Sequence, residues 1–147
     1  MSSLLTPGKT LVGVNADYSM LKQLKQLAKK TELKRSRICL HSSENALIQE
    51  MIIAVCKESL ITPHRQLDKN KSYLIIEGDL NVIFYDNSGN IIEKTEMSAK
   101  KNKKTFAYRF DAGIWHTIIP LSDMVVFKET IDGPYIKENT EYADWSK

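Results

Sequence analysis

Two histidines stand in surroundings that suit chemistry. His64 and Gln66 lie two residues apart after Pro63, and His116 closely follows the turn residue Gly113. Because side chains alternate between the two faces of a strand, His64 and Gln66 are expected to point the same way. An imidazole can ligate a metal ion or move a proton near neutral pH. The sequence therefore predicts a pocket around His64 and His116, although either histidine alone also fits an ordinary strand residue bonded to backbone or water.

Charged residues are the next candidates for ligand binding. Arg35 and Arg37 are two residues apart ahead of a predicted strand, so they share a face if the segment is extended. Arginine pairs well with phosphate or carboxylate, which suits a nucleotide-sugar diphosphate or an acidic sugar. His41 is four residues after Arg37, so it would lie on the same face of an extended strand and reach the mouth of the pocket. The alternatives are a solvated arginine pair and a histidine packed at the end of its strand.

Acidic and aromatic candidates have both a pocket interpretation and a plainer one. Glu129, near the end of its predicted strand, is either a pocket acid or a surface charge. Tyr73 would line a sugar site, as would Tyr108 and Trp115, but aromatic residues on strands more often belong to the core. The lysines at positions 100, 101, 103 and 104 indicate a solvated hairpin loop.

These residues need a scaffold, and the hydrophobic pattern predicts β-structure preceded by one helix. Residues 18–30 carry an apolar stripe at helical spacing, and Asn15 or Asp17 can cap its start. After residue 34, turn signals separate short β-like runs. The runs cover residues 37–41, 46–56, 72–77, 80–85, 91–95, 106–110, 116–119 and 124–130. Strands at such regular spacing indicate a sandwich or barrel. The neighbouring β-like runs also favour a strand for residues 46–56, although the hydrophobic periodicity of this segment alone would fit a helix.

Composition limits the class of protein. A chain of 147 residues fits one domain, and a net charge of +3 is too small to indicate nucleic-acid binding. No apolar segment approaches the ~20 residues of a membrane span. Residues 1–12 lack the pattern of a secretory signal, so we expect a cytoplasmic protein. Cys39 and Cys56 sit in apolar runs, which predicts buried thiols in a reducing compartment.

The two histidine segments resemble the two motifs of the cupins, usually written G-x5-H-x-H-x3,4-E-x6-G and G-x5-P-x-G-x2-H-x3-N. The positions that match are His64, Gly78, Gly113 and His116. The positions that depart are Gln66 for the second histidine, Lys71 for the glutamate, Asp111 for the proline and Pro120 for the asparagine. The resemblance implies an all-β cupin jelly-roll β-barrel with an N-terminal helix, in which two of the four usual metal-ligand positions are kept.

The departures bear on the metal ion that the resemblance implies. His64, Gln66 and His116 would be its ligands, and histidine-rich sites suit Zn, Fe or Ni. Glutamine is a poorer ligand, and an ammonium about 5 Å from a divalent ion repels it by about 6–7 kcal/mol at an effective dielectric of about 20. The sequence thus predicts weak metal binding or none. Lys71 would point away, be deprotonated, or attract an anionic ligand in place of the metal.

A closer resemblance, over nearly all of the chain after the first helix, is to the WbuC-type cupins encoded among bacterial O-antigen and surface-polysaccharide genes. The matching segments are residues 35–41, 63–65, 76–78, 82–89, 115–117, 127–135 and 142–145. This resemblance implies a setting more than a reaction. Within a single domain we expect an N-terminal arm and helix (1–34), the barrel (35–135) and a C-terminal arm (136–147). By analogy with other cupins we expect a homodimer.

Two classes of function remain open. The first is a sugar isomerase or epimerase in O-antigen or capsule precursor synthesis, with His64 or His116 removing a proton beside a carbonyl. The sugar or nucleotide-sugar would be bound with the help of Arg35, Arg37, His41, Lys71, Tyr73 and Glu129. The second is a non-catalytic module that holds a sugar or a small acid. A metal-dependent oxygenase is disfavoured by the changes at Gln66 and Lys71.

Overall fold

Antiparallel strands form most of the chain, preceded by a short hairpin and one helix. The computed structural model describes residues 3–101 and 104–145. Lys103 of the predicted lysine loop, Met1 and Ser2 of the N-terminal segment, and residues 146–147 of the C-terminal arm lie outside the described residues. The elements are β1 (Gly8–Lys9), β2 (Val14–Asn15), α1 (Tyr18–Lys30), β3 (Arg35–Cys39), β4 (Ile48–Cys56), β5 (His64–Gln66), β6 (Lys71–Glu77), β7 (Asp79–Tyr85), β8 (Ile91–Ser98), β9 (Ala107–Phe110), β10 (Trp115–Pro120), β11 (Met124–Asp132), a 3₁₀ turn (Lys137–Asn139) and β12 (Thr140–Tyr142).

The longer strands make two five-stranded antiparallel sheets that pack face to face. The first sheet has the order β3-β4-β11-β6-β9 and the second has the order β12-β5-β10-β7-β8. Their inner faces share one apolar core, to which the first sheet contributes Val55 and Ile75 and the second contributes Leu80 and Val82. The predicted all-β jelly-roll barrel with an N-terminal helix is confirmed.

Helix α1 covers the outer face of the first sheet. The Asp17 side chain caps the helix by accepting a hydrogen bond from the Met20 amide at 3.0 Å. The apolar stripe of Leu21, Leu24 and Ala28 is buried against outward-facing residues of β3, β4 and β11. The helix forms over the predicted residues because cap and stripe both act within one local segment. In the described part of the chain, no helix is long and apolar enough to cross a membrane.

Strand β11 shows how one sheet presents two different surfaces. Val126 packs in the core beneath the helix, whereas Phe127 belongs to the core inside the barrel. Glu129 is two residues after Phe127, so it faces the same side of the strand, and it lines the barrel cavity. Lys128 faces outward and pairs with Glu50 at 2.8 Å. Alternation along the strand therefore puts helix-binding residues and site residues next to each other in sequence.

Some predicted elements differ from the structure. The three-residue strands β5 and β12 were not among the predicted runs, since three residues carry no readable period and pairing alone defines them. The run at 46–56 becomes a strand only from Ile48, and the run at 37–41 forms instead as Arg35–Cys39. Cys56 is buried as predicted, but Cys39 is only half-buried because it lines the cavity.

The C-terminal segment packs on the barrel of its own chain. Strand β12 pairs with β5, and Tyr142 lies opposite His64 in that ladder. Farther along, the Trp145 ring lies 6.0 Å from the ring of Trp115, which is on the outer face of the second sheet. The Arg65 guanidinium covers the Trp115 ring at 4.5 Å in a cation–π contact. These contacts hold β5, and with it His64, against the edge of β10.

Candidate functional site

A cavity of about 680 Å³ lies between the two sheets. It brings together the six residues predicted to bind a ligand, which are Arg35, Arg37, His41, Lys71, Tyr73 and Glu129. His64 and Gln66 also line it. His116, which is 1% exposed, lies behind this lining and contacts it through Lys71.

The two histidines are neighbours across a strand pair. His64 on β5 is the register partner of His116 on β10, and their ring centroids are 4.5 Å apart. The turn before β10 requires a glycine, because Gly113 has a φ of +82°. The Gly113 amide donates to the Gln66 carbonyl at 2.7 Å and so ties this turn to β5. The motif glycine thus places the second histidine beside the first.

His64 is a neutral imidazole with one nitrogen open to the cavity. Its Nδ1 lies 2.9 Å from the Thr62 carbonyl oxygen, which can only accept, so Nδ1 carries the hydrogen. Burial, followed by the positive charge of Lys71, lowers the pKa of His64 from 6.5 to about 4. No group in residues 3–101 and 104–145 hydrogen-bonds to Nε2. The free lone pair of Nε2 can therefore accept a proton or a hydrogen bond from a bound molecule.

His116 is fixed in the same tautomer but is fully engaged. Its Nδ1 donates to the Ile114 carbonyl at 2.8 Å, and its Nε2 accepts a hydrogen bond from the Lys71 Nζ at 3.2 Å. Burial, then the charges of Lys71 and His64, hold the pKa of His116 well below 6.5. His116 is thus a neutral acceptor for the lysine ammonium, and its Nε2 is not available to a ligand while that contact stands.

Lys71 joins the two sheets at the bottom of the cavity. It begins β6 and is 4% exposed. Besides His116 on β10, its Nζ contacts Glu129 on β11 at 3.5 Å, and the Glu129 side chain is 14% exposed. The ammonium also lies 5.9 Å from the centre of the Tyr73 ring. Burial, and then the Glu129 charge, raise the pKa of Tyr73 well above 10, so its hydroxyl stays protonated.

The residues at the motif positions do not fit a divalent metal ion in this arrangement. A metal needs free lone pairs from several ligands, and catalytic zinc sites typically offer three protein ligands. Here His116 Nε2 already accepts from an ammonium, which would also repel the ion. Among the described residues, no group of three or more His, Cys, Asp or Glu side chains could hold a metal. His64, Gln66 and His116 therefore lie together without forming a set of ligands.

The two arginines add positive charge to the cavity, whose lining also includes Glu44, Glu129 and Asp132. Arg35 and Arg37 lie on β3 and point to the inner face. Cys39 and then His41 follow them along the same side of the chain and also line the cavity. Neither guanidinium has an ion pair or a hydrogen bond to any group in the described ranges. The charge of Arg35 contributes to the low pKa of His64, although it is the smallest of the causes of that shift. His41 is half-buried at the same rim.

Three lining residues were missed by the sequence interpretation. Gln49 is 4% exposed and its amide donates to the Glu44 carbonyl at 3.0 Å. Gln49 alternates in step with the inward-facing residues of β4, and this alternation could have identified it as a lining residue. Tyr142 lies with its ring 6.0 Å from that of His64, in a three-residue strand that was not among the predicted runs. Lys69, 9% exposed, donates to the Gly133 carbonyl at 3.3 Å, a contact that no local pattern predicts.

Two aromatic candidates do not line the cavity. Trp115 is buried on the outer face of the second sheet, where its indole Nε1 donates to the Asn87 side chain at 3.2 Å. Tyr108 lies on β9 and contacts Phe84 and Glu93 outside the cavity lining. Only Tyr73 of the three predicted aromatic residues reaches the site.

Solved structures with a similar fold are cupin-fold proteins. Protein SO0799 from Shewanella oneidensis superposes with a TM-score of 0.60 at 11% identity, covering 71% of each chain. KdgF from a Halomonas species gives 0.53 at 13% identity, covering 71% of this chain and 82% of that one. A variant of Bacillus subtilis oxalate decarboxylase gives 0.54 at 17% identity, covering 67% of this chain and 25% of that one. At these identities the likeness shows the cupin fold alone.

Sequence comparison leads to one family. A family model described as a domain of unknown function (DUF6016) matches residues 16–97, which is more than half of the chain. No curated protein matches the sequence. The match begins just before α1 and ends in β8, so it includes His64 and Lys71 but stops before His116.

Proposed function

We infer that this chain, which belongs to the DUF6016 family, is a cupin that binds an anionic sugar or nucleotide-sugar and acts on it as an isomerase or epimerase. One observation carries the proposal. His64 presents a free imidazole nitrogen to a cavity whose rim holds two arginines that form no ion pair with any acid in residues 3–101 or 104–145. A base and an anion-binding rim in one cavity are what a sugar acid or sugar diphosphate would need.

The reaction would begin with proton removal beside a carbonyl. His64 Nε2 takes the proton, the electron pair of the C–H bond forms a carbon–carbon double bond, and the carbonyl oxygen becomes an enediolate oxygen. A proton added to the neighbouring carbon, with transfer of the adjacent hydroxyl proton to the enediolate oxygen, completes an isomerisation. A proton added from solvent to the opposite face of the same carbon, with the carbonyl re-formed, completes an epimerisation. Tyr73, which stays protonated, is suited to donate a hydrogen bond to that oxygen.

The low pKa of His64 fits this role only with a ligand present. A base works best when its pKa is near the operating pH. In the free protein, burial and then the positive charges of Lys71 and Arg35 lower the pKa of His64. An anionic ligand offsets the contribution of those charges and so raises the pKa of His64 above its value in the free protein. The substrate would therefore activate its own base, which favours anionic over neutral sugars.

A deuterium-exchange experiment tests the proposal. Nucleotide-sugars and sugar acids are incubated with the protein in heavy water, and incorporation of deuterium beside the carbonyl is followed by NMR. We expect exchange with at least one anionic sugar, and His64→Ala should lower its rate by about 10²–10⁴-fold. Lys128→Ala, on the outer face of the same barrel, is the control and should retain most of the rate. Full exchange by the His64 variant would remove His64 as the base.

The same pKa favours a second candidate, a non-catalytic binding module. With a pKa of about 4 in the free protein, His64 is a weak base. His116 cannot replace it because its Nε2 is engaged by Lys71. Binding of an anionic sugar without exchange of any of its carbon-bound protons would support this candidate over the enzyme.

We propose bacterial surface-polysaccharide synthesis in the cytoplasm as the setting. The support is the sequence resemblance to the WbuC-type cupins, carried by segments such as residues 127–135 and 142–145. Genes for glycosyltransferases and nucleotide-sugar enzymes next to the gene for this chain would strengthen the proposal. A neighbourhood without them would weaken it.

A further inference from the structure

We infer that the Lys71 ammonium group takes the place of the metal ion in this cupin pocket and is the cation that receives the negatively charged oxygen of the ligand. The part of the inference that concerns the sugar rests on the proposed function. The part that concerns the cation stands on the contacts of Lys71 and can be tested with simpler probes.

The contacts of Lys71 are those of a built-in cation. Its Nζ is hydrogen-bonded to His116 Nε2 at 3.2 Å and lies 3.5 Å from Glu129 Oε1. His116 is the histidine that the second motif supplies as a ligand, so the ammonium is bound by the lone pair that a metal would otherwise use. A lysine ammonium has three N–H donors. One of them is donated to His116, Glu129 lies within ion-pair distance, and Lys71 also lines the cavity.

The charges around Lys71 agree with the replacement of a metal ion by an ammonium group. The first motif places a glutamate where this chain has Lys71, so one position changes from a negative ligand to a positive charge. Burying an isolated ammonium is costly, and a buried charge needs a partner. Glu129, from the neighbouring strand β11, is that partner, and its side chain is 14% exposed. The pair leaves the lower part of the cavity near neutral, and a ligand anion is then attracted by Arg35 and Arg37.

The chemistry of an ammonium defines the ligand atom. An N–H donor next to His64 suits a carboxylate oxygen or the enediolate oxygen that forms when His64 removes a proton. A neutral hydroxyl gains much less from a buried cation than an anionic oxygen does. We therefore expect Lys71 to contact the reacting end of the substrate, and the arginines at the rim to contact its phosphate or distal acid group.

Metal titration tests the first half of the inference. The chelator-treated wild type, the variant Lys71→Glu with Gln66→His, and Lys71→Met are titrated with Zn²⁺ and Ni²⁺ by calorimetry. We expect weak binding by the wild type, and affinity higher by roughly a thousandfold or more in the double variant, which removes a repelling charge and adds two ligands. One tightly bound metal per wild-type chain, with no gain in the double variant, would overturn the inference.

Oxalate tests the second half, because its two adjacent anionic oxygens resemble an enediolate. The metal-free protein is titrated with oxalate and followed by NMR. We expect Lys71→Met to weaken binding by about 10- to 100-fold, since a charge-assisted hydrogen bond is lost. Lys128→Met is the matched control, a lysine that also pairs with a glutamate but faces outward from the barrel, and it should change binding by less than about threefold.

The outcomes remain interpretable if a variant is unstable. Lys71→Met leaves Glu129 without its cation, so Lys71→Met with Glu129→Gln removes both charges and provides a folded alternative. Equal oxalate binding by the wild type and this double variant, or no binding by the wild type, would overturn the role of Lys71 as an anion receptor. Neither readout needs turnover, so failure of the deuterium exchange alone would reject the isomerase and leave the lysine cation standing.

Discussion

The two faces of the β3-β4-β11-β6-β9 sheet have different roles, although their residues alternate along the same strands. On the outer face, Ile38 and Val126 are fully buried beneath helix α1 and make apolar contacts. On the inner face, Arg37 and Glu129 line a cavity and Lys71 spans it. The outer face is a closed interface with an apolar cluster at its centre and one buried hydrogen bond, from Ser36 Oγ to the Leu24 carbonyl. The inner face keeps buried charges that do not serve packing, and it faces His64 on the other sheet across the cavity.

The difference shows where stability and function are separated in this barrel. Removing apolar area from the outer face should cost folding free energy and leave the cavity unchanged. Removing charge from the inner face should change binding and leave the helix interface unchanged. Because the two faces alternate residue by residue on the same strands, the separation can be tested with single substitutions.

The largest expected effect lies on the outer face. Leu24 of α1 is fully buried beneath the helix, so Leu24→Ala should lower the free energy of unfolding by about 2–5 kcal/mol. Lys25→Ala on the same helix loses only the partly exposed ion pair with Glu77 and should cost less than about 1 kcal/mol. Urea unfolding measures both. Oxalate binding by folded Leu24→Ala should equal that of the wild type, and a loss of binding would mean that the two faces are coupled.

The next effect concerns the cavity that this inner face lines and appears as a dependence of stability on pH. His64 has a pKa near 4 in the folded protein and 6.5 when unfolded, so between these values the unfolded chain binds the extra proton. The free energy of unfolding should therefore fall as the pH is lowered from 6.5 to 4, by up to about 3 kcal/mol from this residue. His116 contributes in the same direction.

Urea unfolding at pH 7 and at pH 4.5 provides the measurement. His64→Gln removes one titrating group, so its stability should fall less steeply with acid than that of the wild type. Asp17 and Asp86 have pKa values below their usual 3.8, so their contributions are lost only at lower pH and do not affect this interval. Identical pH dependence in the wild type and in His64→Gln would show that His64 does not titrate as its surroundings imply.

The smallest effect on stability is expected at the rim of the cavity. Arg35→Ala with Arg37→Ala removes two guanidinium groups that have no described acid partner, so the free energy of unfolding should change by less than about 1 kcal/mol. Binding of inorganic pyrophosphate, measured by calorimetry, should weaken by about 10-fold or more as two charged donors are lost. Unchanged pyrophosphate binding would place the anion site elsewhere and return the pair to the role of solvated surface charges.

The sequence by itself determined the features that depend on neighbours along the chain. Helix α1 followed from its stripe and cap, and the eight long strands followed from alternation and turn residues. The same alternation predicted that Arg35 and Arg37 share a face and that His41 follows them. The spacing of His64, Gly113 and His116 indicated a cupin barrel because local backbone geometry constrains a turn glycine and the residues of the strand after it.

Tertiary structure decided what happens between residues far apart in the chain. Lys71 and His116 are separated by 45 residues and lie on different sheets, so no local pattern predicts that Lys71 donates to His116 Nε2. Strand β12 exists only because β5 offers it a partner. The sequence left open whether Lys71 points into the pocket and whether Glu129 is a surface charge. Packing of the two sheets answered both, because a buried ammonium is stable only where an acceptor and an acid meet it across the barrel.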